Sequence, residues 1–330
     1  MSQGCTPVAP INKIAGPTMG TEYHISWVSQ FTSANDIELE RVDIQRDVNA
    51  ILISINQSMS TYDSQSELSI INSQFKEGWQ EISADLYRVL MMAMQVNVNS
   101  EGAFDITVGP LVNLWGFGPN KSINQAPSED AVAEQLAQVG AKGINLRQRD
   151  ESFELKLEQV RYIDLSAIAK GYAVDVIARY LSKAGIDGYL VEVGGEIIAH
   201  GVKAEGVLWK IAIEAPNDDG RTAQLVIPLS NMGVATSGDY RNFFEQDGRR
   251  FSHTIDGRTG YPVDHGLASV SVLHESVAMA DAWATALTVL GAEKGLALAE
   301  KYKLAAFFIQ RTATGFKQHA SSQFEQLRLN

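Results

Sequence analysis

Hydrophobic positions recur along this chain with two periods, and its two halves use them differently. Residues 22–27 alternate polar and apolar side chains, as a half-buried strand does. Ile44, Val48, Ile51, Leu52, Ile55 and Met59 then fall three or four apart, which predicts a long amphipathic helix ending near Met59 and Ser60. A polar loop over 59–69 turns toward a short helix, and Ser83 caps another that carries Leu86, Leu90, Ala93 and Met94. Residues 103–110 and 114–118 read as a buried, glycine-punctuated segment, 120–127 as a linker, and Ser128 as the start of a short helix. Residues 153–157 alternate again, and Tyr162-Ile163 carries a second extended run up to Asp164, with Ser166 placed to cap the next helix.

The second half is mostly strands, expected over 189–193, 196–200, 208–214, 224–228, 233–237 and 267–273. Gly194-Gly195 and residues 217–220 mark turns between them. Helices starting at Ser276 and about Ala292 follow, and 305–309 reads as a closing strand. Strand runs with helices grouped between them predict an α+β arrangement rather than a doubly wound sheet. There is no internal repeat.

Composition narrows the function classes. The chain has 330 residues, 45% hydrophobic and 20% charged, which is ordinary for a globular protein. Its net charge of −12 argues against a nucleic-acid or anionic-membrane surface. No apolar run approaches the roughly 18–20 residues that span a bilayer. No signal peptide is present as the chain is written. The single cysteine, Cys5, excludes an internal disulfide and a cysteine-based zinc cluster. Gly4-Cys5 is what remains when a bacterial lipoprotein signal is trimmed, although Ser2-Gln3 lacks the leucine such a signal carries; a thiol on a loose tail is the plainer local reading. The glycine pair at 194–195 lacks dinucleotide-fingerprint spacing, and there is no G-x-S-x-G, Walker loop or H-E-x-x-H.

Five clusters could carry chemistry. Residues 163–171 put Asp164, Ser166 and Lys170 at a strand-to-helix junction, where unpaired N–H groups and a lysine one turn in suit a phosphate. A capped surface helix with a solvated lysine fits the same residues. Asp281 and Thr285, four apart among small neighbours, share a helix face and offer hard oxygens of the kind Mg²⁺ takes. Two oxygens leave an octahedral site incomplete, and an internal hydrogen bond is the alternative. His253, just before a turn at Asp256-Gly257, is placed as a general base or as a structural histidine. Residues 236–241 form a polar strand end that fits a ligand loop or a plain turn. Tyr62 and Phe104 could stack on a flat ring that Asp105 hydrogen-bonds, with core packing the default for Phe104.

Taken together, these clusters resemble the FAD:protein FMN transferases of the ApbE family. The matching motifs are residues 16–21, 59–62 with Ser66, Glu67 and Leu68, 104–110, Asp164 through Lys170-Gly171, Val193 to Glu196, 236–239, 253–256 with 260–262, and Ala280-Asp281 through Thr285. They stand in the family's order across residues 14–292. The resemblance implies an α+β or α/β unit of the T-fold type over residues 14–330, behind a tail over 1–13, with two closely joined lobes and the flavin between them. It implies Mg²⁺-dependent transfer of the FMN half of FAD to a threonine hydroxyl of an acceptor protein, releasing AMP. Met19, Tyr62, Ala103, Phe104, Asp105, Asp164, Lys170 and Ile255 would contact FAD. The Ala167 carbonyl, Asp281 and Thr285 would hold the metal, and His253 would be the base. Relatives that mainly hydrolyse FAD tend to carry Asn at the Tyr62 position, so Tyr62 favours transfer over FAD pyrophosphatase activity. A non-catalytic flavin-binding lipoprotein would need neither base nor metal. The family also implies a periplasmic lipoprotein held to the inner membrane through a lipidated Cys5, and an acceptor among subunits of membrane redox complexes, such as sodium-pumping quinone reductases.

Overall fold

The computed structural model describes residues 10–118, 125–216, 223–238, 243–246 and 248–329. Its main element is an eight-stranded antiparallel sheet: β1 (Ile11–Thr18), β2 (Thr21–Val28), β3 (Tyr189–Val193), β4 (Glu196–His200), β5 (Met232–Gly238), β6 (Leu267–His274), β7 (Ala305–Thr312) and β8 (Gly315–Ala320). These strands lie side by side in chain order, and the other described elements, except a C-terminal helix, are inserted between consecutive members. β3 and β4 are joined tightly because Gly194 and Gly195 adopt φ of 60° and 102°, which other residues rarely do.

The longest insertion, between β2 and β3, holds α1 (Ala34–Met59), α2 (Glu67–Ser73), α3 (Ala84–Asn99), α4 (Gly109–Leu114), α5 (Glu129–Leu136) and α6 (Ala169–Lys183). A three-stranded sheet over 80–82, 144–149 and 152–157 lies among them. α7 (Val277–Lys301) connects β6 to β7, and α8 (Ser322–Leu329) ends the fold.

The sheet buries both faces, which is why seven of the eight β6 residues are buried. Val270, Val272, Ala306 and Phe308 point to the helical side, where the largest core packs α1, α3, α6 and α7. Their neighbours Leu273, Ala305, Phe307 and Ile309 point the other way, under the hairpin of 209–214 and 223–229 and Phe324 of α8. This side-chain alternation is the period-two geometry of a strand used on both sides. A third cluster of Leu111, Trp115, Val132, Phe251 and Ile255 joins α4 and α5 to the short hairpins between β5 and β6.

Several expected elements differ. Tyr162-Ile163 is not a strand: the Asn72 amide holds both the N–H and the carbonyl of Ile163, at 2.8 Å each, in place of a neighbouring strand. Ser166 does not cap α6. It lies in a turn before it, where its N–H and hydroxyl donate to Asp164 Oδ1, and the cap position falls to Ile168. The helices expected from Ser276 and about Ala292 are both present and meet within α7 at a kink at Gly291 with φ of 78°. The 305–309 strand is not the last element, because β8 and α8 follow it. β1 starts at Ile11, inside the stretch read as a tail. Cys5, the 217–220 turn, residues 239–241 and part of the 120–127 linker lie outside the described residues.

Candidate active site

The N-terminal turns of α6 and α7 meet through glycine. A Cβ on Gly171 would lie 2.5 Å from the Val277 carbonyl oxygen, and one on Gly233 of β5 would lie 2.5 Å from Val277 Cγ2. Only glycine permits these approaches. Asp175 of α6 then fixes α7 by accepting the N–H groups of Val277 and Ala278, at 2.8 and 3.1 Å, and the Ser276 hydroxyl at 2.7 Å. With the two helices locked this way, Lys170, in the first turn of α6, and Asp281 and Thr285, one turn apart on α7, face a single cavity of about 430 Å³.

The cavity floor is a charge cluster. Lys170 Nζ donates to Glu196 Oε1 at 2.5 Å. Glu196 is 4% exposed and begins β4. The lysine stem reaches it across the glycine turn, where a Cβ on Gly194 would come within 3.1 Å of Lys170 Cδ. Burial works against the Lys170 charge, but Glu196 and then Asp281 outweigh it and leave its pKa raised. Burial pushes Glu196 well above the usual carboxylate range, Lys170 pulling it down and Asp281 pushing it further up. Asp281 is raised for the same reason, opposed by Lys170 and the Gly171 N–H. Glu196 Oε2 and Asp281 Oδ2 are buried without a hydrogen-bond partner. Such orphaned carboxylate oxygens cost stability, so a cluster of two carboxylates and one ammonium is short of positive charge.

The walls come from loops. Ala103, Phe104 and Asp105 follow α3, with Phe104 N–H donating to Ser100 Oγ at 3.0 Å. Asp105 Oδ1 accepts the N–H and hydroxyl of Thr107, at 2.8 and 2.6 Å. Asp164 and Ala167 line the turn before α6. Tyr62, between α1 and α2, is 71% exposed at the rim, its loop held by Ser60 Oγ, which accepts the N–H groups of Tyr62 and Asp63 at 3.1 Å each. His253 sits just past the 249–252 strand with its ring edge-on to Phe117, centroids 6.3 Å apart. Ile255 follows it in the third core cluster, which Trp115 ties down by donating from Nε1 to the Gly260 carbonyl at 2.9 Å.

Eleven of the twelve residues singled out from the sequence therefore border one cavity. Met19 does not: it forms the turn between β1 and β2 with φ of 49° and packs against the main core. Residues 239–241 fall outside the described residues, but Thr236, Ser237 and Gly238 line the wall. Sequence reasoning gave no role to Glu196 or Phe117. The signals for Glu196 were a charge directly after the glycine pair and its place in the matching Val193–Glu196 motif; for Phe117 there was none. Among the described residues no group of three or more His, Cys, Asp or Glu is arranged to hold a metal. The donor set on offer is instead one carboxylate, Asp281, beside the Thr285 hydroxyl and the Ala167 backbone, all oxygens that suit Mg²⁺. The orphaned Asp281 Oδ2 fits that use.

The chain belongs to the ApbE family, whose model matches residues 19–308. The FAD:protein FMN transferase of Haemophilus influenzae is 44% identical to it, across 98% of this chain and 93% of that protein. Among solved structures, the flavin transferase ApbE from Vibrio cholerae superposes with a TM-score of 0.85 at 40% identity, covering 96% of this chain and 99% of that one. The Pseudomonas stutzeri flavinyl transferase ApbE, in its apo form, gives 0.87 at 38% identity, with 99% of each chain covered. These likenesses extend to the whole α+β arrangement.

Proposed function

We propose that this chain is an FAD:protein FMN transferase that moves the FMN half of FAD onto a threonine hydroxyl of an acceptor protein and releases AMP. The observation that carries this reading is the convergence of Lys170, Asp281, Thr285 and His253 on one cavity walled by Phe104 and rimmed by Tyr62. A flat ring fits between such aromatics, and a pyrophosphate fits beside the lysine. Asp164, Asp105, Ala103 and Ile255 line the same space and would contact the dinucleotide. In the reaction the threonine Oγ attacks the phosphorus of the FMN half. A new P–O bond forms as the bond to the bridging oxygen breaks, AMP leaves with that oxygen, and His253 takes the hydroxyl proton. Charge builds on the phosphate oxygens, so positioned cations contribute most, and Lys170 is one of them. Ala167, Asp281 and Thr285 would hold Mg²⁺, whose charge would act on the same oxygens when bound. The acceptor would be a subunit of a membrane redox complex. In the same proposal the protein works in the periplasm, held to the inner membrane by lipid on Cys5; a Cys5→Ser chain should then leave the membrane fraction.

Intact-mass analysis of a short acceptor domain incubated with the protein, FAD and Mg²⁺ tests the reaction. A gain of one FMN, absent with EDTA, is expected. Free FMN and AMP with no gain in mass would replace the transferase by a pyrophosphatase. Intact FAD with every acceptor tried would leave a flavin carrier.

A further inference from the structure

We infer that Glu196 is a positioning residue: it holds the Lys170 ammonium away from Asp281 and so keeps the Asp281 carboxylate open to a divalent cation. The inference rests on the reading above that Asp281 is a metal ligand. Lys170 has a long, flexible stem, and two buried carboxylates compete for its head group. The stem runs over the Gly194 turn, which aims Nζ at Glu196 rather than at Asp281. As a result Asp281 Oδ2 keeps no partner although it is buried.

A purely structural role does not account for the glutamate. Its Oε2 is also unpartnered, and apolar side chains usually serve a buried position at least as well as an ion pair. Without the carboxylate at 196, the nearest full negative charge for the ammonium is Asp281 itself. Lys170 would then occupy the place of the cation.

Calorimetric titration with Mg²⁺ alone tests this on the wild type, Glu196→Gln, Lys170→Met and the double variant, each first checked for folding by circular dichroism. Glu196→Gln should weaken Mg²⁺ binding by about 10- to 100-fold, the usual effect of removing a residue that orients a metal ligand. In the double variant no ammonium remains to invade the site, so its affinity should return to that of Lys170→Met. A loss that persists in the double variant would overturn the inference, because Glu196 would then be acting as a ligand or as scaffold. Unchanged binding in Glu196→Gln would overturn it too. A wild type that takes up no Mg²⁺ would also end it, and FMN transfer by the same preparation would show whether the transferase reading falls with it.

Discussion

Asp175 on α6 accepts the backbone N–H of Val277, the first residue of α7, at 2.8 Å. The same carboxylate takes the Ala278 N–H and the Ser276 hydroxyl. One helix thus caps another across the core, and the cap sets the distance between Lys170 and Asp281. Burial raises the Asp175 pKa, and these three donors pull against it. Asp175→Ala should leave two buried N–H groups unpaired and cost about 2–3 kcal/mol, measured by urea unfolding. A loss under 0.5 kcal/mol, the ordinary range of a surface change, would show that the cap carries little of the α6–α7 contact.

Gly171 is the second lock on that contact. Its missing Cβ leaves 2.5 Å to the Val277 carbonyl and 2.8 Å to Ala278 Cα, both backbone atoms that cannot rotate away. Gly171→Ala should force the helices apart and cost about 1–3 kcal/mol. Because Lys170 and Asp281 sit on the separated helices, transfer activity should fall more than stability alone explains. Wild-type activity in a folded Gly171→Ala protein would count against the spacing argument.

The legible parts of this fold were those whose local pattern already matched their environment. α1 and α3 show helical periodicity because one face is buried, and Ser83 caps α3 as expected. Residues 162–166 misled because extended backbone before a serine looks the same whether a strand or the Asn72 side chain pairs with it. β8 escaped because its residues 315–318 are exposed and lack any apolar alternation. The site residues were legible as motifs, but their meeting was not. Lys170 and Glu196 are 26 positions apart, and only the glycine turn between β3 and β4 brings them to hydrogen-bonding distance.

His253 is expected to act on the proton and not on flavin binding, since its ring contacts Phe117 and the aromatic wall stands without it. His253→Ala should bind FAD with near-native affinity by fluorescence quenching. Transfer should slow by about 10²–10⁴-fold, the usual size of a general-base effect. Unchanged turnover would remove His253 from the reaction.

Asp281 should stabilise the reaction and destabilise the fold. Its buried Oδ2 has no partner, and Lys170 is shared with Glu196. Asp281→Asn replaces a buried, incompletely paired carboxylate with a neutral amide of similar shape, so in EDTA the melting temperature should rise by about 1–3 °C. Mg²⁺ should raise the wild-type melting temperature and leave the variant unmoved, because only the wild type gains free energy from binding the ion. FMN transfer should be abolished in the variant. A variant that melts lower than wild type in EDTA would show that the carboxylate is structurally satisfied in solution.

The α7 cap also has a pH limit, set by His274. Its Nδ1 accepts the Ser276 N–H at 2.9 Å, so the ring must be neutral with its proton on Nε2. Burial lowers its pKa below 6.5, against the charges of Asp175 and Glu275, which favour the proton. The unfolded chain therefore binds more protons than the folded one between the depressed folded value and 6.5. By linkage, stability rises with pH across that window, is complete above it, and is lost as pH falls through it. His274→Asn retains an acceptor for Ser276 but cannot take up the proton. Urea midpoints at pH 7.5 and 5.5 should fall further for the wild type than for His274→Asn. Equal falls would assign the acid sensitivity to other groups, such as His319, whose pKa burial also lowers.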